Sequence, residues 1–261
     1  MGGPAMIEGG GLGVYRPEEV GPMSVQVPNG VVDISVKDEP EAVEVAKKYL
    51  GYFQGRTTEW TAPDQRKLRH IVPENRLRIY DIRQVITTMA DVGSWLELRP
   101  WFGVGMITGL ARIEGRPVGI IANNPNHLGG AIDSDGSDKG ARFMQLCDSY
   151  DIPVVNLCDT PGIMVGPEVE KRALVRHAAR LFVVGASLTI PFCTIVLRKG
   201  YGLGASLSIR GASAEGVGRD SLVSRKMRST PGNTVTDSRR EKAMPKITTV
   251  ASGRWTSEPA P

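Results

Sequence analysis

Two short turns hold residue types that chemistry could use. Gly202-Leu203-Gly204-Ala205 follows the apolar run Phe192–Leu197. Glycines there let the backbone pass close to a ligand and aim N–H groups at an oxygen. Two such amides at a helix N-terminus form an oxyanion hole, which stabilises a developing enolate. The same residues equally suit a plain strand-to-helix turn. Asp159-Thr160-Pro161-Gly162 closes the run Ile152–Cys158 and is two-sided in the same way. Its carboxylate can cap a helix, or its glycine amide can meet a ligand. Asn124 and Pro125, which end the run Pro117–Ala122, are weaker candidates.

The remaining polar groups point to less. His177 falls on the apolar face of a helical pattern, where a packed, hydrogen-bonded imidazole is the simpler reading than a catalytic base. His70 and His127 have no partners at metal-ligand spacing. Asp133-Ser-Asp-Gly-Ser-Asp138 looks like part of a calcium loop but has no glutamate at position twelve, so a polar loop ending in a helix cap fits better. No Gly-x-Ser-x-Gly, P-loop or strand-linked Gly-x-Gly-x-x-Gly occurs, which removes support for a hydrolase of that type, an NTPase and a nucleotide-dependent dehydrogenase. Cys147, Cys158 and Cys193 fit no metal site and read as buried free thiols in a reducing compartment.

The elements that must position these turns form a simple pattern. Pro117–Ala122, Ile152–Cys158 and Phe192–Leu197 are short, β-branched and bounded by Gly, Pro, Asn or Asp, as strands buried on both faces are. The stretches between them are long enough for crossover helices, so these strands should be parallel. Ligands of open parallel sheets bind beyond the carboxyl ends of the strands, where the two turns lie. Asp138–Tyr150 and Glu168–Val184 are the expected helices between strands, the second with Ala173, Leu174, His177, Ala178, Leu181 and Phe182 inward. Gly105–Ala122 reads as a hairpin turning at Glu114-Gly115. A helix capped by Asp81 runs to Met89. Upstream, Asp38 opens a helix whose inward face is Val43, Ala46, Leu50 and Phe53. Val25–Val36 looks strand-like. The glycine-rich start, 1–22, should neither nucleate a helix nor fill a core. The polar, proline-punctuated stretch 56–78, anchored by Trp60 and Leu68, reads as a linker between two lobes.

Composition sets outer bounds. The net charge of +4 over 261 residues is uneven. From Ser206 onward ten Lys or Arg face five acids, so the basic character belongs to the tail and does not imply a nucleic-acid partner for the folded part. That tail, 206–261, is rich in Ser, Arg, Thr and Gly without periodicity and reads as disordered. No signal peptide and no bilayer-length apolar stretch is evident, so a soluble, cytoplasmic protein without a membrane partner is expected.

As an ordered set these motifs resemble the carboxyltransferase subunits of biotin-dependent acyl-CoA carboxylases. The match runs through Gly109–Asn124, Lys139-Gly-Ala-Arg-Phe143 before Cys147-Asp148, Asp159-Thr-Pro-Gly-Ile-Met-Val-Gly166, Arg176-His-Ala-Ala-Arg180 and Arg198-Lys-Gly-Tyr-Gly-Leu-Gly-Ala205, with Tyr80-Asp-Ile-Arg83 upstream. The relatives include propionyl-, methylcrotonyl- and acetyl-CoA carboxylases. The resemblance implies an α/β, crotonase-like fold of two domains, one for acyl-CoA and one for carboxybiotin, with the site between them and usually across a subunit interface. It implies biotin on a carboxyl carrier protein as cofactor, a biotin carboxylase subunit as partner, a homo-oligomer and no metal. The biotin urea nitrogen would take the acyl α-proton, and backbone amides would hold the enolate and the urea oxygen.

Carried onto this chain, 1–55 is the end of the acyl-CoA domain, 56–78 the linker and 79–205 part of the carboxybiotin domain. Gly202, Leu203, Gly204 and Ala205 match the oxyanion turn, while Asn124, Asp159, Thr160, Pro161, Gly162 and Gly166 line the substrate cleft. The family has Tyr-Gly-Gly-Ala where this chain has Tyr201-Gly-Leu-Gly-Ala205, which leaves open which two amides point at the ligand. A Ser-Gly-Gly-Ala-Arg-type CoA loop and the elements beyond Ala205 are missing, so the expectation is a middle fragment of an incomplete fold. Whether such a chain is active by itself stays open. The alternatives are a non-catalytic remnant or assembly partner of full-length subunits, or another crotonase-like enzyme such as an enoyl-CoA hydratase, which would want a glutamate near Gly202.

Overall fold

The computed structural model describes residues 2–75 and 77–202. Leu203, Gly204, Ala205 and the expected tail, 206–261, lie outside the described residues. All described residues belong to one compact unit, Met1–Glu215, and the second unit, Gly216–Pro261, is outside them.

A five-stranded sheet in the order β1-β2-β3-β4-β5 forms the frame. Its strands are β1 (Leu96–Leu98), β2 (Met106–Ile113), β3 (Arg116–Asn123), β4 (Val154–Thr160) and β5 (Phe192–Gly200). β1, β2 and β3 pair antiparallel, and β3, β4 and β5 pair parallel. The expected hairpin and parallel set are therefore both present. The hairpin turns at Glu114 and Gly115, both at positive φ (53° and 73°), the geometry whose twist matches that of the strands. The buried Asp91 carboxylate fixes this turn by accepting from the amides of Glu114 (3.0 Å) and Gly115 (2.7 Å).

Period-two alternation sends the β2 side chains to two cores. Met106 and Leu110 pack with Phe143, Met144, Cys147 and Leu181 on one face, which α6 (Ser134–Ser149) and α8 (Leu174–Ser187) cover. Ile107 and Ala111 pack with Ile82, Val85 and Ile86 of α5 (Ile82–Met89) on the other. β3 and β4 are buried as expected, but β5 has no fully buried residue, because it is the last strand of the described sheet. Cys193 on β5 is exposed for that reason, whereas Cys147 and Cys158 are buried.

Several local expectations are corrected. The start does form a short helix, α1 (Pro4–Gly9), helped by Pro4 at its first turn. Val25–Val36 is not a strand; it holds α2 (Met23–Gln26), then a turn at Asn29-Gly30, and Val25 and Val31 are exposed. Proline and glycine there prevent a continuous ladder. α3 (Glu39–Gly51) is capped by Asp38 as expected, yet Val43 and Leu50 face solvent. Tyr49, Phe53 and the buried Tyr52 set its rotation instead, with the Tyr49 and Phe53 rings 5.0 Å apart. In 56–78, α4 (Leu68–Ile71) brings Leu68, Ile71 and Val72 onto the α5 core, while Trp60 stays largely exposed. α6 starts four residues before Asp138, because Asp133 caps it by accepting from the Gly136 amide at 2.8 Å. The single helix expected from Glu168 is two, α7 (Pro167–Lys171) and α8, separated by an exposed Ala173 at φ 55°.

Candidate functional site

Three parallel strands end together on one edge of the sheet. β3 closes on Asn123, β4 on Thr160 and β5 on Gly200, with Thr160 paired to Gly200 across a register shift. The Tyr201 amide then donates to the Thr160 carbonyl at 3.2 Å, so the turn entering Gly202 is tied to the end of β4. Asp159-Thr160 and the Gly202 turn, both chosen from sequence, are thus neighbours.

Asp159 is locked beneath this edge. It is fully buried, and its Oδ2 accepts from the Tyr80 hydroxyl (2.8 Å) and from Arg198 Nε (2.8 Å). The Arg198 guanidinium also lies 4.5 Å from the centre of the Tyr80 ring and donates to the Arg78 carbonyl at 2.6 Å. Burial and the adjacent carboxylate push the Tyr80 phenol far above its ordinary pKa. The Asp159 amide donates to Asn123 Oδ1 at 3.2 Å, which links β4 to β3. Asp159 Oδ1 meets no hydrogen-bond partner among the described residues. Asp159 caps no helix; through Oδ2 it pins β4, β5 and the segment before α5 together.

The glycine amide of the same turn is also occupied. Gly162 N–H donates to Thr160 Oγ1 at 3.0 Å, and the Thr160 hydroxyl donates to the Gly162 carbonyl at 3.2 Å. Gly162 has φ 124°, and a Cβ there would lie 3.2 Å from the Tyr201 carbonyl, so only glycine lets the two turns approach. Asn124 is likewise an internal brace: its side chain donates to the Val104 carbonyl (2.8 Å) and accepts from the Asn126 amide (3.1 Å). Pro161 is exposed, and Gly166 opens α7 at φ 123°.

What the edge offers to an incoming molecule is Gly202, Tyr201 and Pro161, all exposed. Gly202 sits at φ 60°, and a Cβ there would meet nothing within 4 Å among the described residues. Beside it, a Gly129 Cβ would lie 3.8 Å from the Lys199 ammonium, which places a cation over the loop following β3. Gly130 packs so closely that a Cβ would come 2.2 Å from the Asp159 carbonyl.

Tyr80 and Arg198 stand inside the family-like motifs with no role that their spacing assigns, and nothing local marks Asn123 or Gly130 as part of the site. An arginine at a strand end facing an aspartate on the neighbouring strand was the available signal, but pairing needed the register. His177 is the packed histidine expected, with Nδ1 2.7 Å from Asp138 Oδ2. His127 Nε2 lies 3.2 Å from Asp133 Oδ2. Among the described residues no group of three or more His, Cys, Asp or Glu is placed to hold a metal ion, and no helix is long and apolar enough to cross a membrane.

Comparison with known proteins places this geometry. The model of the carboxyl transferase domain matches residues 3–217. The beta4 subunit of a biotin-dependent long chain acyl-coenzyme A carboxylase from Mycobacterium tuberculosis is 34% identical over 197 residues, 71% of this chain and 38% of its own length. A solved single-chain, multi-domain long-chain acyl-CoA carboxylase superposes with a TM-score of 0.78 at 59% identity, covering 80% of this chain and 21% of that one. The transcarboxylase 12S hexamer, solved with hydrolysed methylmalonyl-coenzyme A bound, gives 0.69 at 32% identity, over 79% of this chain and 42% of that one. These neighbours have the crotonase-like fold, and the sheet described above is a part of it. The chain spans little more than a third of the length of the curated relatives it matches.

Proposed function

The chain belongs to the carboxyl transferase domain family, and from that premise we propose that its site moves a carboxyl group between biotin, carried on a partner protein, and an acyl-CoA. The observation that carries the reading is the position of Gly202: an exposed glycine at φ 60°, not crowded by any described residue, at the carboxyl ends of three parallel strands.

The chemistry this edge supports is backbone chemistry. Among the described residues its fully buried carboxylate, Asp159, is held by Tyr80 and Arg198, so it is not placed to act as a base. Amides of the turn at Gly202 donate to the biotin urea oxygen, and Leu203, Gly204 and Ala205 supply the further amides. Oriented N–H donors are worth about 10²–10³ in rate for each one aimed at a developing oxyanion. Lys199 adds a positive field beside the loop at Gly129, suited to a carboxylate passing between substrates. Asp159 and Arg198 position the turn without touching either substrate. The partners that follow are an acyl-CoA, a biotin carboxyl carrier protein, a biotin carboxylase and further copies of the chain, in a soluble cytoplasmic assembly.

The test is transfer of labelled carboxyl from a carboxylated carrier protein to acyl-CoAs of several chain lengths, with wild type and Gly202→Val compared. Label should enter acyl-CoA with the wild type and fall by at least about 100-fold in the variant, with the thermal midpoint little changed because no described residue lies within 4 Å of a Cβ at Gly202. Equal transfer by the two proteins, or none by the wild type with any acyl-CoA, refutes the assignment.

A further inference from the structure

The α6-covered face of the sheet holds a cavity of about 430 Å³, walled by α3, β1, β2 and α6. Its apolar wall is built by Val45 of α3, Leu98 of β1, and Phe143 and Leu146 of α6. At roughly 30 Å³ for each water-sized group it has room for about fourteen non-hydrogen atoms.

The cavity begins close to the edge where the parallel strands end. Thr108 lines it, two residues along β2 from Met106, and Met106 pairs with Asn123 at the end of β3. Two residues of strand span about 7 Å. α6 joins the two places as well. Its cap, Asp133, meets His127 of the loop after β3 at 3.2 Å, and its later turns supply Phe143 and Leu146.

The polar groups of the wall call for no charged ligand. Lys139 is 1% exposed, donates to the Arg99 carbonyl at 2.8 Å and has the favourable charges of Glu97 and Asp133 acting on it. The Thr108 hydroxyl donates to the Leu98 carbonyl at 3.3 Å, and Arg99 pairs with Asp33 at 2.8 Å. Water against the hydrocarbon that remains gains few hydrogen bonds. An apolar group that displaces it gains affinity, about fourfold for each methylene buried.

We propose that this cavity receives the hydrocarbon chain of the acyl-CoA, with the charged coenzyme outside it, and so selects long acyl groups over short ones. The source of the chain rests on the carboxyl-transfer reading of the strand-end turn; its chemistry rests on the walls alone.

Calorimetric titration with linear alcohols, decanoate and decanoyl-CoA tests this. Decanol should saturate at one molecule per chain, with affinity climbing about fourfold per methylene from hexanol to decanol. Decanoate should bind no more tightly than decanol, and decanoyl-CoA should displace decanol. Val45→Trp, which fills the wall, should weaken decanol by at least about tenfold; Ala42→Phe, on the same wall, serves if that variant does not fold. In the same variant, transfer of labelled carboxyl should fall at least about tenfold with decanoyl-CoA and stay within about twofold with propionyl-CoA. No saturable alcohol binding, unchanged binding by the variant, tighter binding of decanoate, decanol left in place by decanoyl-CoA, or equal loss of transfer from both acyl-CoAs each overturns the proposal. Transfer absent with every acyl-CoA, while decanoyl-CoA still displaces decanol from the wild type, refutes carboxyl transfer and supports the chain site.

Discussion

Replacing Arg198 by methionine tests whether the buried triad holds the strand-end edge together. The Arg198 and Asp159 side chains are only 5% and 0% exposed. Methionine keeps most of the apolar volume but leaves Asp159 charged, buried and supported by the Tyr80 hydroxyl alone. Removing one partner of a buried pair costs about 3–5 kcal/mol, and loss of the guanidinium from the Tyr80 face adds about 1 kcal/mol. Native stabilities are about 5–15 kcal/mol, so the loss is a large share of the whole. Tyr80→Phe removes one neutral donor to the carboxylate and should cost about 1.5–3 kcal/mol. Arg198→Met with Asp159→Asn should recover about 1–2 kcal/mol of the single-variant loss, because the stranded group is then uncharged. Urea unfolding followed by circular dichroism measures all three, with unchanged slopes showing that only the native state was altered. The pair is buried, so the Arg198→Met penalty should be nearly the same in low salt and in 1 M salt. A penalty below about 1 kcal/mol, or a double variant no more stable than Arg198→Met, refutes the claim that Asp159 is a structural lock.

Glycine contrast in the loop after β3 gives a second check. Gly130→Ala forces a Cβ to 2.2 Å from the Asp159 carbonyl at φ 89°, and should lower stability by about 2–4 kcal/mol, whereas Gly129→Ala, at φ 61° with only the Lys199 ammonium near, should cost about 1 kcal/mol by thermal unfolding. Thiol labelling of the native chain should modify the exposed Cys193 first; Cys147, whose pKa burial pushes up to about 12, and buried Cys158 should react only with unfolding, as peptide mass spectrometry reads. Lys139 gives a pH signature. Its folded pKa of about 8 lies below the ordinary 10.5, so between these values the unfolded chain binds more protons and stability rises with pH. Wild-type stability relative to Lys139→Met should therefore increase by roughly 3 kcal/mol from pH 7.5 to 10.5; a flat difference would show that the ammonium is well solvated.

The strands were legible because their signals are local. Short β-branched runs between turn residues, and enough chain between them for crossovers, lead to three parallel strands and the edge where they end. The helix caps at Asp38 and Asp81 were legible for the same reason. What escaped depended on three-dimensional neighbours. Nothing in the spacing of Val43 and Leu50 says that Tyr49 and Phe53 decide the helix rotation. Val25–Val36 has strand composition but no partner strand, and composition alone does not supply one. The break at Ala173 rests on a left-handed residue that no glycine announces. At the site, Tyr80, Asp159 and Arg198 are separated by 79 and 39 residues, so their meeting is a product of register and crossover, which periodicity does not encode.

The same register sets the surroundings of Asp159. A carboxylate at a strand end is exposed only if the next strand stops short of it. Here β5 continues past Leu197, the end expected from sequence, to Gly200, and the extra residues carry Arg198 over Asp159. Extension of β5 by the three residues Arg198–Gly200 makes this carboxylate a brace. It also fixes Tyr201 against the Thr160 carbonyl and sets Gly202 at the open end. Holding a backbone donor in place needs rigid neighbours more than it needs reactive ones. A carboxylate held by Tyr80 and Arg198 beneath a glycine turn is the arrangement that requirement favours, and it is why disturbing Arg198 should disturb the turn.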